Sequence, residues 1–249
     1  MVYNWLNNSL PELNHRNCVL CGQGFKTHVS SLFCPGCNQD LPKISPACHQ
    51  CGIGLPTAVI VDLDQASRSI DVIGPRCGPC LTEPPAYDRV ISTFAYAEPV
   101  KQLVAHFKYQ RQLAVGAMFA EILCANILSS ARQIEAILPV PLHPSRLRQR
   151  GFNQALELAR PLARALKRPL LRSSIRRQKN TLEQSSLSST QRRTNLSKAF
   201  ALEQEIPYRT IAIVDDVMTT GSTVAELSSL LKQNGVEYVE VWCVARASK

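Results

Sequence analysis

Two kinds of side chain in this sequence are spaced for chemistry. Near the C-terminus, Ile211-Ala-Ile-Val-Asp-Asp-Val-Met-Thr-Thr-Gly-Ser-Thr223 runs from an apolar stretch into two carboxylates and then into small hydroxyl residues. A strand ending there delivers Asp215 and Asp216 where open α/β sheets bind ligands, beyond the carboxyl ends of their strands. Thr219, Thr220, Ser222 and Thr223 supply hydroxyl donors, and the helix that follows opens with unpaired backbone amides, so the segment can wrap a phosphate dianion. Gly221 permits a close approach that a Cβ would obstruct. Two carboxylates repel a phosphate they meet directly; a ribose diol between them, donating to the carboxylates with Mg²⁺ nearby, removes the conflict. The plainer alternative is that Asp215 and Asp216 cap the helix and Thr219 to Thr223 form an ordinary first turn. A P-loop is excluded, because the Gly-Lys-Ser/Thr signature is missing.

The second kind is cysteine. Eight of ten fall in four Cys-x-x-Cys pairs: Cys18 with Cys21, Cys34 with Cys37, Cys48 with Cys51, and Cys77 with Cys80. Each pair can form a knuckle presenting two thiolates, and two knuckles complete a tetrahedral, closed and therefore structural zinc site. Two zinc sites are expected, paired in sequence order, although the spacing also allows interleaved pairing. Redox pairs are the functional rival, but those normally open a helix inside a thioredoxin-like unit. His49 is a reserve ligand that eight cysteines make unnecessary, and Cys124 and Cys243, in apolar contexts, are expected as buried core thiols. Structural zinc implies that chelation unfolds the cysteine-rich part and leaves the phosphate site measurable.

A third feature is charge. The chain of 249 residues carries a net +9, but residues 143–198 hold 14 basic and 2 acidic side chains, a local charge of +12. Such a segment faces something anionic, diphosphate or nucleic acid, unless it is only a solvated face. Within it, Arg146 and Arg150 are one helical turn apart after the strand end Pro139-Val-Pro141, and guanidinium forks suit a polyphosphate. His143 is either a helix-start residue or a site residue.

The elements that must position these groups alternate. The patterns predict a strand over Arg89–Tyr96, helices over Val100–Tyr109 and Leu113–Leu128, and a short strand over Ala136–Val140. They continue with a helix over Phe152–Leu166, a polar mobile loop over Ser173–Asn195, and strands over Arg209–Val214 and Val236–Val244 flanking a helix over Ser222–Gln233. Strands alternating with helices mean an α/β domain with a mostly parallel sheet covered on both faces. The stretch before Glu83 shows no such period and is expected as a metal-organised module over residues 1–83. Thr82-Glu-Pro-Pro-Ala86 is the linker, and residues 87–249 form the main domain. No signal-like start and no apolar run of bilayer length is present, so a cytoplasmic protein without membrane insertion is expected.

The Ile211–Thr223 segment resembles the 5-phosphoribosyl 1-diphosphate (PRPP) motif of type I phosphoribosyltransferases. That resemblance implies their fold, ribose contacts for Asp215 and Asp216, and a 5-phosphate loop at Thr219, Thr220, Gly221, Ser222 and Thr223. The whole chain is similar to the ComF/GntX family of competence and DNA-utilisation proteins. The likeness rests on the cysteine pairs, a zinc-ribbon-like module, on Phe107-Lys108, on Arg150-Gly-Phe-Asn-Gln154, on Gln184, Arg192, Arg193, Asn195 and Ala199-Phe200, and on the PRPP loop. It implies a glycosyltransferase acting on PRPP with Mg²⁺; in such a transfer Arg146, Arg150 and Lys108 are expected, on physical grounds, to stabilise the departing diphosphate, and a basic loop with Arg176, Arg177 and Lys179 to close over it. It leaves open a noncatalytic competence factor that holds single-stranded DNA through residues 143–198, or a scaffold for a DNA-uptake helicase. Enzymes that salvage 6-oxopurines carry an aspartate where this chain has Thr219, so ordinary hypoxanthine or guanine salvage is not expected.

Overall fold

The structure, a computed structural model, describes residues 14–27, 32–56, 74–130, 134–178 and 199–248. The chain packs as two compact units, Met1–Leu41 and Pro42–Lys249. In the first, β1 (Asn14–Asn17) and β2 (Gly24–Thr27) form an antiparallel hairpin whose connection carries Cys18 and Cys21, and α1 (Pro35–Asp40) begins at Cys34. The second unit starts well before Glu83: the second set of cysteines lies inside it, with α2 (Gly78–Thr82) beginning at Cys77.

The rest of the second unit alternates as the sequence patterns require. β3 (Arg89–Ala95), α3 (Val100–Tyr109), α4 (Leu113–Ser130), β4 (Ala136–Pro139), α5 (Pro144–Arg150) and α6 (Gln154–Leu166) come first. β5 (Ile175–Arg177), β6 (Phe200–Leu202), β7 (Thr210–Met218), α7 (Ser222–Gln233) and β8 (Tyr238–Arg246) follow. The main sheet has the order β3-β8-β7-β4, with every pair parallel. Its two central strands are apolar on both faces, as burial between helix layers demands. Ile211, Ile213, Val239, Val241 and Cys243 share one buried cluster with Val224, Leu227 and Leu231 of α7 and with Cys48, Cys51, Cys80 and Tyr87. The intervening Ala212, Val214, Trp242 and Val244 are equally buried, and α4 and α6 pack on the strands there.

Three expectations are corrected. The strand expected to stop at Val214 continues to Met218, because β8 keeps pairing with it as far as Met218 and Arg246. Val214 is nevertheless the last residue of β7 with a partner on β4, so the acidic pair sits where the strand loses one neighbour. The loop expected from Ser173 begins instead with β5, which pairs antiparallel with β6; Lys179, Gln184, Arg192, Arg193 and Asn195 lie outside the described residues. Cys243 is buried as expected, but Cys124 is only half-buried. Among the described residues, no helix is long and apolar enough to cross a membrane.

Gly116 of α4 fixes the end of α3. A Cβ there would lie 2.4 Å from Cε2 of Phe107, whose fully buried ring also packs on Phe119 and Phe152 with centroids 6.5 and 5.7 Å away. A ring held on three sides cannot yield. Alanine is favoured over glycine by about 1 kcal/mol within a helix, whereas overpacking a dense core costs about 1–3 kcal/mol. Gly116→Ala is therefore expected to lower stability in denaturant titration despite its better helix propensity.

A candidate phosphate site and two cysteine centres

β7 delivers Asp215 and Asp216, and the turn after it lines an open depression with Thr219, Thr220, Gly221, Ser222 and Thr223. Gly221 is the N-cap of α7 with φ 79°, the left-handed region. A Cβ on it would lie 2.6 Å from Cε of Met218 and 3.0 Å from the Tyr87 hydroxyl, so both conformation and space demand glycine. Thr219 and Thr220 are exposed, and the Thr220 and Ser222 hydroxyls lie 2.8 Å apart. This hydroxyl-lined helix start is a concave donor surface suited to a phosphate.

Successive residues of a strand point to opposite faces, and the two carboxylates have different surroundings. Asp216, buried, accepts the Val217 amide at 2.6 Å and forms an ion pair with Lys108 at 2.9 Å. Asp215 accepts the Asp216 amide at 2.9 Å. Desolvation, and then the Asp216 charge, push Asp215 up to about 7, against the opposing pull of Lys108 and Arg177. Burial works against the charge on Lys108, but attraction to Asp216 and Asp215 prevails and its pKa is raised.

Arginines approach from two directions. α5 begins at His143, whose Nδ1 accepts the Ser145 amide at 3.2 Å, so His143 is a helix cap. Arg150 donates to Gln154 at 3.1 Å and lies over the Tyr109 ring at 5.5 Å. The Arg150-Gly-Phe-Asn-Gln154 stretch is a corner: Gly151 closes α5 at φ 80°, Phe152 packs on Phe107, and Asn153 caps α6 while donating to the Val140 carbonyl at 3.1 Å. It fixes α5 to the end of β4 and, through Phe107, to the helix that carries Lys108. Arg177, expected in a mobile lid, is buried in β5 and stacked on Phe200 at 5.5 Å. Burial, and then the nearby Arg146 guanidinium, lower its pKa, while Asp215 opposes the shift. Arg176 points away into an ion pair with Glu203 at 2.6 Å. Alternation within a three-residue strand thus separates a site arginine from a surface one.

The eight paired cysteines form two clusters, Cys18, Cys21, Cys34, Cys37 and Cys48, Cys51, Cys77, Cys80, in each of which the sulfur atoms lie within 4.8 Å of one another. Pairing is sequential. The sulfurs of Cys21 and Cys34 are 3.8 Å apart and those of Cys51 and Cys77 3.6 Å, against an edge of roughly 3.8 Å for a tetrahedron of thiolates about 2.3 Å from zinc. Both clusters are built alike: a knuckle turned by a left-handed glycine, Gly22 or Gly52, meets a helix start carrying the other two sulfurs. The Cys51 thiol, and then amides of Cys51, Cys77 and Gln50, hold Cys48 down to about 4 against burial, as suits a thiolate ligand. The residues present therefore fit zinc at both sites.

The sequence reading missed Arg246 and Tyr87. Arg246 is buried at the end of β8 and donates to the carbonyls of Cys51, Met218 and Thr219, while Tyr87 packs between the second cluster and Gly221. Only the position of Arg246 at the end of an apolar strand, level with the phosphate turn, distinguishes it along the chain.

The raised pKa of Asp215 has a definite sign. From its ordinary 3.8 to about 7 the folded chain binds more protons than the unfolded one, so stability falls as pH rises across that window. Asp215→Asn, which keeps an acceptor for the Asp216 amide, is expected to gain in melting temperature over the parent as pH rises from 4 to 8. A pH-independent difference between the two melting curves contradicts the assignment.

The description "Phosphoribosyl transferase domain" matches residues 149–249. The chain is 37% identical over 238 residues to "Competence protein F" of Haemophilus influenzae, spanning 92% of this chain and 96% of that protein. It is 35% identical over 248 residues to "DNA utilization protein YhgH" of Salmonella typhimurium, spanning 97% and 96%. It is 22% identical over 241 residues to "Competence protein ComFC" of Streptococcus pneumoniae, spanning 92% and 99%. A cysteine-rich beginning, a parallel sheet with paired acids before a Thr-Thr-Gly-Ser-Thr turn, and similarity over nearly the whole length of these relatives converge: the chain belongs to the ComF family.

Proposed function

We propose that this chain binds PRPP and transfers its phosphoribosyl group to an acceptor in a process of DNA uptake or utilisation. The observation that carries the reading is the convergence of Asp215, Asp216, Lys108 and the hydroxyl turn at one end of β7. The turn holds the 5-phosphate, and the carboxylates accept hydrogen bonds from the ribose diol. Arg146, with Lys108 and the buried Arg177, opposes the charge that develops on departing diphosphate as the C1–oxygen bond lengthens, and Arg150 anchors α5 beside them. Thr219 takes the place where an aspartate would handle a purine proton, which favours an acceptor of another kind.

Mg²⁺ fits as an ion that arrives with the substrate. Among the described residues the only groups of three or more metal-binding side chains are the cysteine clusters, so the two carboxylates offer too few ligands for a protein-built cage. When bound, Mg²⁺ would neutralise diphosphate charge, and Asp215 and Asp216 are the carboxylates that would help to hold it. The two cysteine clusters would hold structural zinc.

Calorimetry of PRPP with Mg²⁺ is expected to show binding to the parent. Asp216→Ala removes an acceptor for the ribose and strands Lys108, a charged hydrogen bond of about 1.5–3 kcal/mol, or roughly 10–100-fold in affinity. Diphosphate release in the presence of the acceptor should be abolished as well. Absence of heat with the parent overturns the proposal, as does unchanged binding or turnover in Asp216→Ala.

A second reading rests on a separate observation. Tyr109 is 67% exposed beneath Arg150, and Arg111 donates to the Arg150 carbonyl, which joins an aromatic face to a basic helix. Single-stranded nucleic acid binds such surfaces by base stacking and phosphate contact. Tyr109→Ala is expected to weaken single-stranded DNA binding by about 1–3 kcal/mol, and affinity should fall steeply with salt. An affinity flat across salt and indifferent to Tyr109→Ala excludes this surface.

A further inference from the structure

Arg246 lies at the end of β8, 3% exposed, and spans two parts of the second unit. Its Nε donates to the Cys51 carbonyl at 2.8 Å. Its Nη1 donates to the carbonyls of Met218 at 3.2 Å, Ala247 at 2.7 Å and Thr219. A trans peptide points its C=O and the following N–H in opposite directions. Holding the Met218 and Thr219 carbonyls inward on a buried guanidinium therefore turns the Thr219 and Thr220 amides outward, as a phosphate requires. On its other edge, the same guanidinium holds the knuckle between Cys48 and Gly52, whose amide donates to the Cys48 carbonyl at 2.8 Å. Tyr87 makes a parallel connection, since it is buried among Cys48, Cys51, Cys80 and Met218 with its hydroxyl against Gly221.

We infer that Arg246 is a positioning residue that couples the Cys48–Cys51–Cys77–Cys80 centre to the phosphate turn, so that a formed centre orients the turn and an occupied turn protects the centre. The inference rests on the phosphate reading of the turn, and it revises the expectation that zinc and ligand binding are separable. Coupling between two binding events is reciprocal, so both directions can be measured. The Cys18–Cys21–Cys34–Cys37 centre lies in the other compact unit and serves as the internal control.

The test uses the full-length zinc-loaded protein, ribose 5-phosphate as probe, and a chromogenic chelator to follow zinc release. Ribose 5-phosphate is expected to slow release of one of the two zinc ions, and to do so equally in Cys34→Ser, which lacks a complete first centre. Arg246→Met should bind ribose 5-phosphate about 10–100-fold more weakly, the scale of a lost hydrogen bond to a charged group, and should lose the protection. Arg246→Lys keeps the charge but not a planar fork with separate edges, and is expected to resemble Arg246→Met; full recovery would mean that charge alone acts, and overturns the proposal. Should Arg246→Met fail to fold, the parent and Cys34→Ser still decide: protection of both centres alike, or of neither, refutes the coupling. A parent that binds neither ribose 5-phosphate nor PRPP refutes the functional reading itself, and this inference with it. Normal binding with unaffected zinc release refutes the coupling alone.

Discussion

Adjacent carboxylates at the tip of a buried strand are an electrostatic problem, and the ion pair between Lys108 and Asp216 is how this chain solves it. With one ammonium against Asp216, the second carboxylate need not share its charge with an uncompensated neighbour. Removing either partner of so enclosed a pair costs about 3–5 kcal/mol, because the other charge is left stranded. The pair also dictates architecture. Lys108 lies in the last turn of α3, so α3 must reach the carboxyl end of β7, and the Phe107 ring, seated on Gly116 and bracketed by Phe119 and Phe152, holds it there.

Compensation stops one carboxylate short. Asp215 has no ion pair of comparable closeness among the described residues, and its ionisation is accordingly costly. On the other side, burial and then the nearby Arg146 guanidinium lower the pKa of Arg177. The site therefore holds both an acid reluctant to ionise and cations crowded together. A ligand with hydroxyls beside a polyanion relieves both at once, and that complementarity links the acidic strand tip to the basic segment after β4.

The two cysteine centres are alike in chemistry and different in mechanics. Each joins a glycine-turned knuckle to a short helix start, but the first belongs to a small unit and the second shares its core with the sheet. Cys48, Cys51 and Cys80 are packed with Tyr87, Val90, Ile213 and Met218, so the strand that carries the acidic pair and the sulfur cluster stand on one apolar foundation. Duplicate motifs in one chain can thus carry unequal structural consequences.

Whatever depends on local order could be read from residue type and spacing. Periodicity located α3 and α7, the β-branched runs located the central strands, and residue type alone marked Asp215, Asp216, the Thr-Thr-Gly-Ser-Thr turn and the eight zinc-type cysteines. Such features are legible because chain neighbours share one helix turn or one strand end. Tertiary structure decided the rest: that knuckles pair in order, that Asp216 and not Asp215 takes Lys108, that Arg177 is buried while Arg176 is not, and that Arg246 spans a knuckle and a turn. These outcomes join residues far apart in the chain through desolvation and packing, and an arginine carries no local mark of which carbonyls will surround it once water has left.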